Sequence, residues 1–171
     1  MKRFLFLLVS TLFAALFIAG CAVNTRVKGI NSAEAAFWHG RLSMQVEVLP
    51  DDTASKRQSF AASFELSGTS QAGELRLITP LGSTLAVIHW TPQNAVLEAR
   101  GESRSYAGLD VLTQDLLGAT VPAPALFAWL QGNALAGSGW QVDLSEYAQG
   151  KVNATRIDPL PQAHLRLILE P

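Results

Sequence analysis

The side chains that most often carry chemistry are few in this chain and scattered along it. His39, His89 and His164 each stand alone in a strand-like context. None lies at metal-ligand spacing from another, and neither HExxH nor CxxC occurs. The stretch "GTSQA" (68–72) loosely follows a nucleophile elbow but lacks the second glycine and a following helix. Asp51 and Asp52 fit a solvated loop, and Asp110 and Asp115 an exposed helix face. Glu98 and Glu102, beside Arg100 and Arg104, fit strand-surface charges. No nucleophile-and-base pair and no ligand set emerges, so the expectation is no enzyme, no metal and no cofactor. Cys21 is the only cysteine and has no disulfide partner within the chain.

The surroundings of Cys21 give that thiol a use. Lys2 and Arg3 precede an apolar run from Phe4 to Ile18, followed by Ala19, Gly20 and Cys21. This is the layout of a secretory signal: positive start, apolar middle, small residues at the cut. The run of about 15 residues is short for a membrane span, which needs ~20. "IAGC" (18–21) resembles a bacterial lipobox, whose cysteine is diacylated and becomes the acylated amino terminus. The alternative is an ordinary signal with a chance cysteine. On the lipobox reading, residues 1–20 are a signal peptide, 21–32 a lipidated tether and 33–171 a single domain. In such lipoproteins an Asp after the cysteine favours the inner membrane; with Ala22 and Val23 there instead, the lipobox resemblance implies the outer membrane, facing the periplasm. One acyl chain anchors marginally; two or more anchor stably.

The segment after residue 20 has 151 residues, enough for one domain with a real core. It keeps 11 Lys and Arg (13 less Lys2 and Arg3) against 14 acidic residues, a net charge of −3. No basic run is present, so nucleic acid is an unexpected partner.

The elements that would position any site follow from periodicity. Ser32 could cap a short helix over "AEAAFW" (33–38), with Trp38 packing it onto a sheet. "RLSMQVEV" alternates, with Leu42, Met44, Val46 and Val48 on one face. "SFAASFEL" repeats this with Phe60, Ala62, Phe64 and Leu66, and "ELRL" with Leu75 and Leu77. "TLAVIHW" (84–90) is nearly all apolar, so its inward face stays open. "AVLEAR" follows after the turn at 92–94. "LDVLTQDLLG" and "VPAPALFAWLQGN" read as helices ending near Gly118 and Gly132. Strands resume in "GWQVDL", "KVNATRI" and "AHLRLIL". The fold class is therefore mainly β within α+β. A curved antiparallel sheet, an incomplete barrel, carries helices over its concave side. Such a concave face holds either a solid core or an apolar cavity, and a cavity of several hundred Å³ is the mark of a ligand site.

"TPLGSTLA" (79–86) raises a separate question, because Leu81 sits where a turn normally carries a polar residue. Pro80 at the second turn position fits type I with Gly82 fourth; a shift of one gives type II.

Taken in order, the lipobox, "WHGRLSMQV", "FAASFELSG", "GELRLITPLGSTLAVIHW", "PAPALFAWLQG" and "GWQVDL" resemble the LolB family of outer-membrane lipoprotein receptors. "PLGST" (80–84) and "LFAWLQG" (126–132) are the most specific pieces. The resemblance implies an incomplete barrel that takes lipoproteins from the soluble periplasmic carrier LolA. It would insert them into the inner leaflet of the outer membrane without covalent chemistry. It implies Cys21 as lipid anchor and Pro80, Leu81 and Gly82 as a membrane-insertion loop. It implies an acyl-chain cavity, here formed by Phe60, Phe64, Leu66, Leu75, Leu77, Ile88, Trp90, Phe127 and Trp129. Partners would be the LolA-like carrier, lipoprotein cargo and outer-membrane lipid, with the protein a monomer. The competing readings are an assembly lipoprotein that binds a protein partner without lipid transfer, and a lipid-modifying enzyme.

Overall fold

The structure is a computed structural model that describes residues 36–48, 58–136 and 139–171. Cys21, Ser32 and Asp51–Asp52 lie outside the described residues. Among the described residues nine strands form one antiparallel sheet: β1 (Ala36–Val46), β2 (Gln58–Gly68), β3 (Gly73–Ile78), β4 (Thr84–Trp90), β5 (Ala95–Ala99), β6 (Glu102–Tyr106), β7 (Trp140–Asp143), β8 (Lys151–Arg156) and β9 (Ala163–Leu169). Their order is β6-β5-β4-β3-β2-β1-β9-β8-β7, so β6 and β7 end the sheet unpaired with each other. Two helices, α1 (Leu109–Leu117) and α2 (Ala123–Leu130), interrupt the strands between β6 and β7. This is the incomplete barrel with helices that the alternation predicts.

The pattern of burial explains why the sheet closes on one side only. Met44, Val46, Ala62, Phe64, Leu66 and Leu77 are buried, while their neighbours Gln45, Ala61 and Arg76 face solvent. In β4 the inward set is Ala86, Ile88 and Trp90, which resolves the face that the apolar run left open. In β9 it is Ala163, Leu165 and Leu167. Period-two alternation puts these residues on one face without further instruction.

Three expectations change. The short helix over residues 33–38 is replaced at its end by strand: Ala36–Trp38 pair with Gly68–Leu66 of β2. A six-residue segment is too short to hold a helix by itself, whereas the ladder satisfies its backbone at once. Trp38 therefore reaches α2 rather than a helix of its own, meeting Phe127 edge-on at 5.5 Å. Val48 lies past the end of β1 and is exposed. β6, Glu-Ser-Arg-Ser-Tyr, has no apolar alternation to announce it. It forms because Arg100 and Gly101, both with positive φ, make a two-residue turn that returns the chain along β5. Its polar side chains suit a sheet edge.

α1 begins without a side-chain cap and ends at Gly118. α2 follows Pro122 and is nearly all apolar, with Phe127, Trp129 and Leu130 buried. Three bonds fix α2 and the segments beside it. The Trp129 indole donates to the Leu135 carbonyl at 3.0 Å. The Trp140 indole donates to the Thr120 carbonyl at 3.0 Å. The Tyr147 hydroxyl donates to the Leu130 carbonyl at 2.9 Å.

β1 is the strand on which the sheet turns, pairing with β2 on one side and β9 on the other. Gly40 sits where β9 comes closest: a Cβ there would overlap the Ile168 carbonyl oxygen, and its φ of 153° is one that side chains rarely adopt. Gly40→Ala should force β1 and β9 apart and lower unfolding stability by about 1–3 kcal/mol. An unchanged urea midpoint would contradict this packing.

Candidate functional site

The outer face of the sheet carries the titratable groups and keeps them separate. His89 lies 3.6 Å from Glu74, and His164 lies 3.6 Å from Glu47 and 3.2 Å from the Thr155 hydroxyl. His39 is on β1 beside the Phe37 ring, 5.6 Å away. Arg76 bridges Glu65 and Glu74 at 3.7 and 3.0 Å. These pairs are exposed and individually worth little. "GTSQA" is the β2–β3 turn: the Thr69 hydroxyl accepts the Gln71 and Ala72 amides at 3.2 and 3.3 Å, which occupies it structurally. Among the described residues no three His, Cys, Asp or Glu side chains gather to hold a metal.

The inner face is the opposite environment. Where α1 and α2 cross the sheet, packing leaves two adjoining cavities of about 80 Å³ each. The first is lined by Phe60, Leu77, Ile88, Trp90, Leu109, Leu112, Leu116 and Phe127; the second by Met44, Phe64, Leu130, Leu165 and Leu167. Leu42, Leu66, Leu75, Thr113, Leu117, Val121 and Leu126 line both. Thr113 is the sole polar residue of either lining. Its hydroxyl donates to the Asp110 carbonyl at 3.1 Å and accepts the Val121 amide at 3.2 Å, so it offers nothing to a ligand. With no polar group to orient a guest, the chamber suits hydrocarbon and discriminates little among hydrocarbons.

The structure brings together eight of the nine cavity residues expected from sequence: Phe60, Phe64, Leu66, Leu75, Leu77, Ile88, Trp90 and Phe127. Trp129 is placed elsewhere. It is fully buried and packs against Trp140 at 5.9 Å, on neither lining. The leucines of α1 complete the chamber, and sequence reasoning did not assign them to it. Their helical spacing was the available signal: Leu109, Leu112, Leu116 and Leu117 share one stripe that must face the sheet.

α1 has few polar ties to the sheet. Among the described residues its only side-chain hydrogen bond to the sheet runs from the Tyr106 hydroxyl to Asp115 Oδ2 at 2.9 Å, an exposed pair. The adjacent Asp115 carboxylate holds the Tyr106 phenol above its usual pKa. The rest of the attachment is apolar contact.

Leu81 stands at the tip of the β3–β4 connection with 94% of its surface exposed. The Gly82 amide donates to the Thr79 carbonyl at 2.9 Å, and the Thr79 amide to the Ser83 carbonyl at 2.9 Å. Pro80 and Leu81 are thus the two central residues, and Gly82, with φ 83°, is the fourth. Of the two framings the sequence allows, this is the first: a turn closed by a left-handed glycine, as in three-residue hairpin loops. The turn leaves Leu81 no neighbour to fold against.

Residues 38–149 match the family described as outer membrane lipoprotein LolB. The chain belongs to the LolB family. It is 33% identical to the outer-membrane lipoprotein LolB of Bordetella pertussis, over 82% of this chain and 79% of that protein. Similarity to the LolB of Cupriavidus metallidurans is 27% identity over 86% of this chain and 80% of that protein. For the LolB of Ralstonia nicotianae it is 32% over 73% and 61%. The LolB match includes α1, α2 and the Leu81 turn; β8 and β9 lie beyond it and here complete the sheet against β1. The family is one of outer-membrane lipoproteins that serve lipoprotein localisation, which fits the lipobox-like start of the sequence.

Because Trp129 supports α2 rather than the chamber wall, Trp129→Ala should act on the fold. The expected loss is ~3–5 kcal/mol of unfolding stability, read by chemical denaturation. A loss under ~1 kcal/mol would mean that its site collapses freely, contrary to the packing against Trp140.

Proposed function

We propose that this chain receives the acyl chains of lipoproteins from a LolA-like carrier into the space beneath α1. It then releases them into the outer membrane, with Leu81 touching the bilayer at release. The observation that carries this reading is the almost wholly apolar interface between α1 and the sheet, with one exposed side-chain hydrogen bond across it among the described residues.

The volumes define how the site works. Ligand pockets typically hold ~300–1,000 Å³, whereas each cavity here is about 80 Å³. The interior is neither a filled core nor an open chamber of several hundred Å³. An acyl chain is admitted when α1 lifts and its leucines give up their contacts with Leu42, Leu66 and Leu75. The exchange is nearly even, because hydrocarbon replaces hydrocarbon and each buried methylene contributes ~0.8 kcal/mol on either side. Near balance is what a transfer protein requires, since a guest held too tightly is never released. No bond is made or broken and no residue serves as an acid, base or nucleophile. Direction comes from affinity alone: the chamber must hold the chains better than the carrier does, and the bilayer better still.

Cys21 as lipid anchor keeps the domain beside its acceptor membrane, so the exposed Leu81 has an apolar phase within reach. Burying one leucine is worth ~1.5–3 kcal/mol, enough to orient the domain and too little to anchor it.

The test separates acceptance from delivery. Carrier loaded with lipoprotein is mixed with the protein lacking its anchor, and cargo is followed from one to the other; absence of movement would sink the proposal. Leu81→Glu should accept cargo normally but deliver it to liposomes about 10- to 150-fold more slowly, the factor that corresponds to ~1.5–3 kcal/mol. Unimpaired delivery would remove Leu81 from the mechanism.

A further inference from the structure

The β8–β9 connection, Ile157 to Gln162, carries a second exposed apolar apex. Leu160 is 62% exposed and Ile157 44%. Proline on each side, Pro159 and Pro161, fixes φ and removes an amide that could fold the loop back. The loop's base is stapled from three directions. The Ile157 amide donates to the Gly139 carbonyl at 2.9 Å, and the Glu47 amide to the Gln162 carbonyl at 2.8 Å. Arg156 Nη2 donates to the Pro161 carbonyl at 3.0 Å. Arg156 is itself only 3% exposed, and its Nε finds no partner among the described residues. A buried cation with one carbonyl to hold is an expensive way to fix a loop. The result is that Leu160 is presented rather than tucked in.

Strand directions put this apex at the same end of the sheet as Leu81. β3 runs toward Leu81, β2 away, β1 toward, β9 away and β8 toward, each antiparallel to the next. The register also matters. Ile78, before the Leu81 turn, is level with Ser63 and so with Arg41. The β8–β9 turn starts level with Val46, five residues further along β1. Five residues are ~16 Å along the strand, and four strand spacings from β3 to β8 are ~19 Å across it. That stagger corresponds to roughly 40°, the tilt that strands take about a barrel axis. Along such an axis the two tips stand level.

The tether permits one bilayer to meet both. β1 starts at the far end, and 14 residues separate Cys21 from Ala36. They can reach at most ~50 Å, more than the ~36 Å length of β1.

We propose that Leu160, with Ile157 behind it, is a second bilayer contact that acts with Leu81 to set the domain tip-down on the membrane. The inference rests on the reading of Leu81 as a membrane contact, and the experiment separates the two. Leu160→Cys, Leu81→Cys and Gln93→Cys are made singly in the full lipidated protein, Gln93 lying in the β4–β5 turn at the opposite end. Each is labelled with an environment-sensitive fluorophore. The proteins are reconstituted in vesicles of phosphatidylethanolamine with minor phosphatidylglycerol, with and without acyl-chain quencher lipids. The expected result is blue-shifted, strongly quenched emission at 160 and 81 and no quenching at 93. Quenching at 81 but not 160 would overturn this proposal and leave Leu81 standing. Quenching at 160 but not 81 would overturn the joint contact proposed here and remove Leu81 from the membrane. A label at 160 untouched by lipid but shifted by added carrier would overturn the proposal by assigning the loop to a protein partner.

Discussion

Everything else in this structure depends on a contact that lacks direction: the leucine stripe of α1 lying on the apolar inner face of the sheet. Hydrophobic contact scales with area and is indifferent to orientation, so it can be exchanged for contact with another hydrocarbon at little cost. A hydrogen-bonded cover would behave differently, because every bond broken on opening would leave a buried partner unsatisfied. Among the described residues the side chains of α1 itself make one such bond to the sheet, Tyr106 to Asp115. α2, by contrast, is bracketed by the three indole and hydroxyl bonds from Trp129, Trp140 and Tyr147. The two helices look alike in an apolar tally and differ in how firmly they are held.

The division of polarity across the sheet serves the same end. Ion pairs such as Arg76 with Glu74 keep the outer face wet, while the inward side chains are aliphatic and aromatic except for Arg156 at the end of β8, away from the two cavities. On the proposed function the feature common to all cargo is the acyl chain, and a lining whose one polar residue, Thr113, is already hydrogen-bonded would answer to that feature only. Leu81 and Leu160 are exposed at one end of the same sheet, where the proposed membrane contact would need no further specific bond.

How far this was legible from the sequence differs by element. Strict alternation marked β2, β3 and β9, and the proline and glycine punctuation marked both helices. Phe60, Phe64, Leu75 and Phe127 could be placed in the chamber because strand period and helix period each leave one apolar face. β6 was invisible, since an edge strand is defined by its pairing and not by an apolar face. Trp129 was misleading for a related reason: helix periodicity says that it is buried, but only tertiary placement says against what. The Ala36–Trp38 strand shows partner pairing overriding local helix propensity. Leu160 gave no signal, because an exposed leucine between prolines becomes meaningful only when the strand order puts it beside the Leu81 end.

The central claim is that α1 lifts to admit an acyl chain. The most direct measurement is a pulsed-EPR distance between spin labels on α1 and on the sheet, at the exposed positions Val111 and Glu98, with and without bound acylated cargo. The account predicts a single short distance in the empty protein and a longer one on loading, with distances between labels within the sheet unchanged. Stoichiometric binding of cargo with the Val111–Glu98 distance unaltered would contradict it.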